Sequence, residues 1–180
     1  MEASGTKIKL KQLTESDWPI FKELYTNPRT MKHVYNPFDE DVAWTVFNCR
    51  LKPWDINSDG WLSFSINELS TKATLGLIGL KITNHTAKIA EVGFMLLENA
   101  RGKGIASEAL TILVKFAFTE LGLNKLIAMC STENSGSYNL LEKRGFIREG
   151  CLAQNSFINN QYVDDYIYGL CKSTLNSQTP

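Results

Sequence analysis

Leu96-Leu97-Glu98-Asn99-Ala100-Arg101-Gly102-Lys103-Gly104-Ile105-Ala106-Ser107 is the stretch on which the reading of this chain turns. An apolar segment ends, two glycines follow, and a long amphipathic helix begins. Ala106, Ala109, Leu110, Leu113, Phe116, Ala117 and Leu121 recur at the i, i+3, i+4, i+7 spacing of one helix face. The first N–H groups of a helix have no internal partner, and its dipole is positive there. Such a start accepts phosphate readily. Gly102 and Gly104 carry no Cβ, so a bulky anion can approach the backbone, and Arg101 and Lys103 add positive charge. Taken alone, the loop is equally a tight strand-to-helix turn with solvated basic side chains.

Upstream, residues 61–69, 73–83 and 88–97 read as three strands in hairpin connection, and therefore antiparallel. Before them come a short alternating strand at residues 8–13 and two helices. The first helix is capped by Ser16 or Asp17, with Pro19 in its first turn. Its apolar face is Ile20, Phe21, Leu24 and Tyr25, and Asn27-Pro28 ends it. The second starts near Asp39, turns Val42, Val46, Phe47 and Leu51 inward, and stops at Pro53.

Downstream of the long helix, Gly122 marks its end and residues 125–131 form a strand. Asn134 caps a shorter helix through Leu140 and Leu141, closed by Gly145 in a left-handed cap. Two last strands, near residues 146–157 and 161–171, flank a polar turn at 158–160, and the tail after Lys172 is expected to fray. The strand–helix–strand run at 88–131 puts a parallel crossover inside a mostly antiparallel sheet. The expected class is α+β. Residues 1–180 form a single expected domain, with a core at about 7–172.

Composition narrows the function. Lys and Arg number 19 and so do Asp and Glu, which gives no general attraction for nucleic acid or an anionic membrane. No apolar run reaches the ~18–20 residues of a membrane span. The polar N-terminus lacks the apolar core of a signal peptide. Cys49, Cys130, Cys151 and Cys171 are widely spaced, so reduced thiols in a cytoplasmic protein are expected rather than zinc ligands. His33 and His85 lack metal-ligand spacing, and no metal is expected.

Three motifs compete for the glycine loop. A P-loop requires G-x-x-x-x-G-K-[ST], but here Lys103 precedes Gly104. A dinucleotide fingerprint requires G-x-G-x-x-G; the third place is Ser107, and no acidic residue ends the strand at 125–131. The third pattern is Arg-x-x-Gly-x-Ala, at Arg101, Gly104 and Ala106.

On that third pattern the chain resembles the GNAT superfamily of N-acetyltransferases, in its RimJ/RimL-like branch. Pro28-Arg29-Thr30-Met31-Lys32-His33-Val34 and Glu91-Val92-Gly93-Phe94 carry the likeness upstream. Arg101 through Leu110 is similar to the acyl-CoA signature. Asn134-Ser135-Gly136-Ser137, Leu140 through Phe146, Glu149-Gly150 and Val163-Asp164 continue it.

The resemblance implies a three-layer fold with helices on both faces and a cleft where the fourth and fifth strands splay. It implies acetyl-CoA as cosubstrate, and acetyl transfer to a primary amine, either a protein N-terminus or a small molecule. The alternative is a non-catalytic acyl-CoA sensor. Backbone groups of Phe94, Met95 and Leu96 would meet the pantetheine, and the oxyanion donor would be an N–H near Met95–Leu96. Arg101, Gly102, Lys103, Gly104, Ile105, Ala106 and Ser107 would wrap the pyrophosphate, and Asn134 would reach the pantetheine arm. Glu91 is the candidate base, because amines are mostly protonated at neutral pH. Many family members place a tyrosine at the position of Leu141 to protonate the leaving sulfur. Its absence leaves Ser137 as the candidate, equally a helix-start hydrogen-bonder; Cys130 could also approach the gap but reads better as a small buried hydrophobe. His33, Tyr35, Trp54 and Trp61 are the candidate acceptor wall. The likeness is compatible with a homodimer.

Overall fold

The computed structural model describes residues 2–176. One sheet of eight strands runs through it: β1 (Glu2–Ser4), β2 (Ile8–Gln12), β3 (Trp61–Glu68), β4 (Thr74–Asn84), β5 (Ile89–Leu96), β6 (Lys125–Ser131), β7 (Ile147–Ile158) and β8 (Gln161–Cys171). Their spatial order is β1-β2-β3-β4-β5-β6-β8-β7. Every neighbouring pair is antiparallel except β5 and β6.

Helices cover both faces. α1 (Trp18–Thr26), the single turn α2 (Pro28–Met31) and α3 (Glu40–Arg50) lie on one face, over a core of Phe21, Leu24, Met31, Ala43 and Phe47. α4 (Ile105–Thr119) and α5 (Ser135–Lys143) lie on the other, over the larger core. This double cover explains β3, which is buried from Leu62 through Asn67 instead of alternating. Leu110 and Leu113 are fully buried under α4, each adding roughly 1.5–3 kcal/mol by removal from water.

Several local expectations hold. Asp17 stands at the N-cap position of α1, although its carboxylate accepts from the Thr14 amide and hydroxyl at 2.9 and 3.0 Å and makes no cap bond to α1 itself. Gly145 is left-handed at φ 83°, and the Phe146 amide folds back to the Leu141 carbonyl at 3.0 Å. Asn159 and Asn160, at φ 51° and 61°, make the tight turn between β7 and β8.

Three expectations need correction. Val42 is exposed, because the buried stripe of α3 is Ala43 and Phe47, one residue further round the helix. The N-terminal segment adds a short strand, β1, that the alternation signal misses. The backbone after Lys172 continues as α6 (Lys172–Asn176) instead of fraying there, and residues 177–180 lie outside the described residues. No helix among the described residues is long and apolar enough to cross a membrane.

Candidate active site

β5 and β6 face each other only over Ile89–Glu91 and Lys125–Ile127. Beyond Glu91 and Ile127 they separate, although β5 continues to Leu96 and β6 to Ser131. The gap opens into two adjoining cavities. One, of about 300 Å³, lies by the glycine turn. The other, of about 400 Å³, lies on the side of α3 and the β7–β8 hairpin. His33, Val34, Phe94, Met95, Asn134 and Ser137 line both.

The alternation of an antiparallel ladder decides which backbone groups face this gap. The Leu97 amide donates to the Leu75 carbonyl at 2.9 Å, and Met95 stands opposite Leu77. The Met95 N–H therefore also turns toward β4. Phe94 and Leu96 turn theirs into the gap, where the Leu96 carbonyl accepts from the Arg101 guanidinium at 3.2 and 3.3 Å. The expectation that Met95 offers its backbone is corrected by this register; Met95 contributes its side chain to the wall.

The glycine turn is built by conformation rather than by crowding. Gly102 and Gly104 sit at φ 72° and 80°, and a Cβ at either would meet no atom within 4 Å. Side chains avoid this region of backbone space, so glycine holds the turn for that reason. The first helical donor of α4 is the Glu108 amide, to the Gly104 carbonyl at 3.0 Å. The amides of Ile105, Ala106 and Ser107 therefore have no carbonyl behind them. Arg101, Gly102 and Ala106 line the smaller cavity. Lys103 and Gly104 are exposed beside it, Ile105 buries its side chain in the core, and Ser107 is half-buried. These free amides, the left-handed glycines and the open edge of β5 fit an acyl-CoA lying along the gap.

Glu91 lines the larger cavity. Burial raises its pKa above the usual carboxylate value, against the opposing pull of Lys81, its register partner on β4. Trp61 lies over the backbone of Gly93, with ring carbons 3.1 and 3.4 Å from where a Cβ would stand. Tyr35, at the rim, has its hydroxyl pKa raised by burial and by the carboxylates of Glu91 and Asp165, while Arg50 lowers it. His33 lies 3.8 Å from Glu133, an ion pair between the loop after α2 and the loop before α5 when the imidazole is protonated.

Ser137 stands where the two cavities meet, and Cys130 lines the larger of them. Burial pushes the Cys130 thiol up to about 11, with Ser137 opposing the rise. The Asn134 side-chain oxygen Oδ1 accepts the Ser137 amide at 3.2 Å as the cap of α5, and the residue lines both cavities. Leu141 is buried in the wall.

Of the four aromatic and histidine side chains expected at the acceptor wall, His33, Tyr35 and Trp61 are there. Trp54 is not. Its indole donates to the Gly60 carbonyl at 3.0 Å and packs against the core on the α4 face, so it closes the loop after α3 instead.

Sequence reasoning missed Tyr25, Arg50 and Asp165, all in the same wall. Arg50 was legible, since Ala43, Phe47 and Arg50 follow the i, i+4, i+7 rule and so share one face of α3. Asp165 was not. A shift of register in β7 between Leu152 and Ser156, with Gln154 at φ 50°, brings Asn155 and Ser156 onto its carboxylate at 2.9 and 2.5 Å.

Residues 7–147 match the family model described as an acetyltransferase (GNAT) domain. The chain is 30% identical over 159 residues to the spermidine N(1)-acetyltransferase of Escherichia coli (strain K12), covering 88% of this chain and 83% of that protein. It is 28% identical over 144 residues to the ribosomal-protein-serine acetyltransferase of the same strain, covering 67% of this chain and 80% of that one. In fold it is similar to the crystal structure of spermidine N-acetyltransferase from Vibrio cholerae in complex with CoA and spermine. The TM-score there is 0.83 at 24% identity, over 94% of this chain and 98% of that one. With the matched segment spanning most of the chain and containing the splayed strands and the glycine turn, this chain belongs to the GNAT family of acetyltransferases.

Proposed function

We propose that the chain, as one domain, transfers the acetyl group of acetyl-CoA directly to a primary amine, with Glu91 as the base. The observation that carries this reading is the continuous gap from the glycine turn to Glu91, floored by the open edge of β5. The thioester supplies an activated acetyl group. The amides of residues 102 and 105–107 would hold its pyrophosphate. The Phe94 and Leu96 N–H groups are the available donors for the pantetheine and for negative charge developing on the acetyl oxygen.

In the reaction the amine nitrogen forms a bond to the acetyl carbon while the carbon–sulfur bond breaks. Glu91 accepts the amine proton, directly or through a water; its raised pKa makes it a stronger base than an ordinary carboxylate. The Ser137 hydroxyl, which lines both cavities, would donate to the departing sulfur, with leucine at 141 where many relatives have tyrosine. Four unpaired thiols support work in a reducing cytoplasm. The likeness to the ribosomal-protein-serine acetyltransferase supports the RimJ/RimL-like branch.

Free-thiol release from acetyl-CoA with a panel of amines tests the proposal. Amine-dependent release is expected. Tight CoA binding with no release on any amine would overturn the transfer reading and leave a sensor.

A further inference from the structure

The acceptor cavity holds a guanidinium that has no role in the transfer step. Arg50 is the last residue of α3 and lines the cavity with Glu91. Its guanidinium lies 4.8 Å from the Trp61 ring centre and 5.5 Å from that of Tyr25. One nitrogen, Nη1, donates to the Ser63 hydroxyl at 3.3 Å. Its Nε is buried and has no hydrogen-bond partner among the described residues.

No carboxylate among the described residues lies within ion-pair distance of Arg50, whereas Lys22, Lys125 and Arg148 each hold one. Asp165, in the same wall, accepts Asn155 and Ser156 at its Oδ2 and makes no ion pair with Arg50. The end of a helix favours a cation, and aromatic faces attract one. Neither supplies the acceptors that a planar, five-donor fork requires. A carboxylate does, because its two oxygens match that fork.

We infer that Arg50 binds a carboxylate of the acceptor, so that the substrate is a small amine carrying a carboxylate near its nitrogen, in chemistry an amino acid. This rests on the acyl-transfer reading above and deepens it. The amine then faces Glu91 and the carboxylate faces Arg50. Arg50 and Glu91 line the same cavity as Tyr35, with Asp165 also in its wall. A cavity of about 400 Å³ walled by Tyr25, Tyr35 and Trp61 suits a compact acceptor. A polyamine would bring positive charge against Arg50. A polypeptide N-terminus presents an amide where the carboxylate would sit.

Matched triads test this: tyrosine, tyrosinamide and tyramine, and likewise for histidine and for leucine, with spermidine alongside. In the wild-type protein the carboxylate member of at least one triad is expected to show kcat/KM about tenfold or more above its amide and decarboxylated partners. Arg50→Met removes that ratio, and Arg50→Lys, which keeps the charge but not the fork, retains part of it. CoA affinity confirms that each variant is folded. Equal kcat/KM across every wild-type triad, a ratio that survives Arg50→Met, or spermidine as the best acceptor would each overturn the inference.

If no amine is acetylated, transfer has failed, and the carboxylate site is still read by binding. In CoA-loaded wild-type protein, an amino acid but not its amide raises the unfolding temperature, and Arg50→Met loses the rise. An equal rise with both, or none, rejects the site.

Discussion

Glu91 carries opposing demands in a single side chain. Its pKa is raised because burial disfavours the charged form more than Lys81 restores it. The folded protein thus holds that proton more tightly than the unfolded chain does. Ionised Glu91 therefore opposes folding at neutral pH, and the penalty is relieved as pH falls through its raised pKa. Glu91→Gln should unfold at a higher temperature than wild type at neutral pH, and the difference should close in acid; thermal melts across pH check this. The same variant should lose about a hundredfold or more in kcat with near-normal CoA affinity. In the wild type, the acid limb of kcat/KM should lie above the ordinary carboxylate range. Cys130 makes a second case. With its thiol pushed up to about 11, it should resist iodoacetamide at neutral pH, whereas exposed Cys49 and Cys151 react; peptide mass spectrometry reads the pattern. At this scale Glu91 and Ser137 were legible because a motif fixed their positions. Asp165 was not, because a register shift in β7, absent from any periodicity, aims its neighbours.

Among the elements, the turn from β5 into α4 is the one whose geometry was most fully legible. Two glycines before an amphipathic run imply a left-handed approach to a helix start, and both are left-handed. The structure changes the reason. No atom crowds either glycine, so a side chain at 104 would suffer only the strain of φ 80°, about 1–3 kcal/mol. Gly104→Val should therefore still fold, with CoA affinity lowered about tenfold or more by distortion of the turn. Unchanged affinity by calorimetry would remove the turn from the site. Asn134→Ala deletes the cap of α5 and should cost about 1 kcal/mol, or about 2–4 °C in unfolding temperature. α3 shows why helices are harder to orient. Val42 and Ala43 are neighbours in sequence, and choosing the larger apolar residue as the buried one rotated the helix and hid Arg50 from view.

Across the whole molecule, the three antiparallel strands at 61–97 followed from hairpin spacing and the parallel pair from one crossover, and the sheet bears both out; the place of β8 between β6 and β7 did not follow. Nor did the N-terminal closure, because it depends on a contact a hundred residues away. Glu108 on α4 accepts the amides of Thr6 and Lys7 at the turn between β1 and β2. Burial disfavours its charge, but the amides of Lys7, Thr6 and Ile8 and the Thr6 hydroxyl outweigh that and hold its pKa below the usual value. The stability this gives is present above the ordinary carboxylate pKa and is lost as pH falls through the lowered one. Glu108→Gln should accordingly lower the unfolding temperature at neutral pH and make no difference in strong acid. The parting of β5 from β6 has a mechanical meaning. The sheet is two leaves, β1–β5 and β6–β8, stitched along a short seam at Ile89–Glu91 and Lys125–Ile127. A linear ligand laid between the leaves would act as a borrowed strand, taking up the edge amides of Phe94 and Leu96. Cosubstrate loading should then slow amide hydrogen exchange at residues 92–96, and each release should let the leaves breathe apart again.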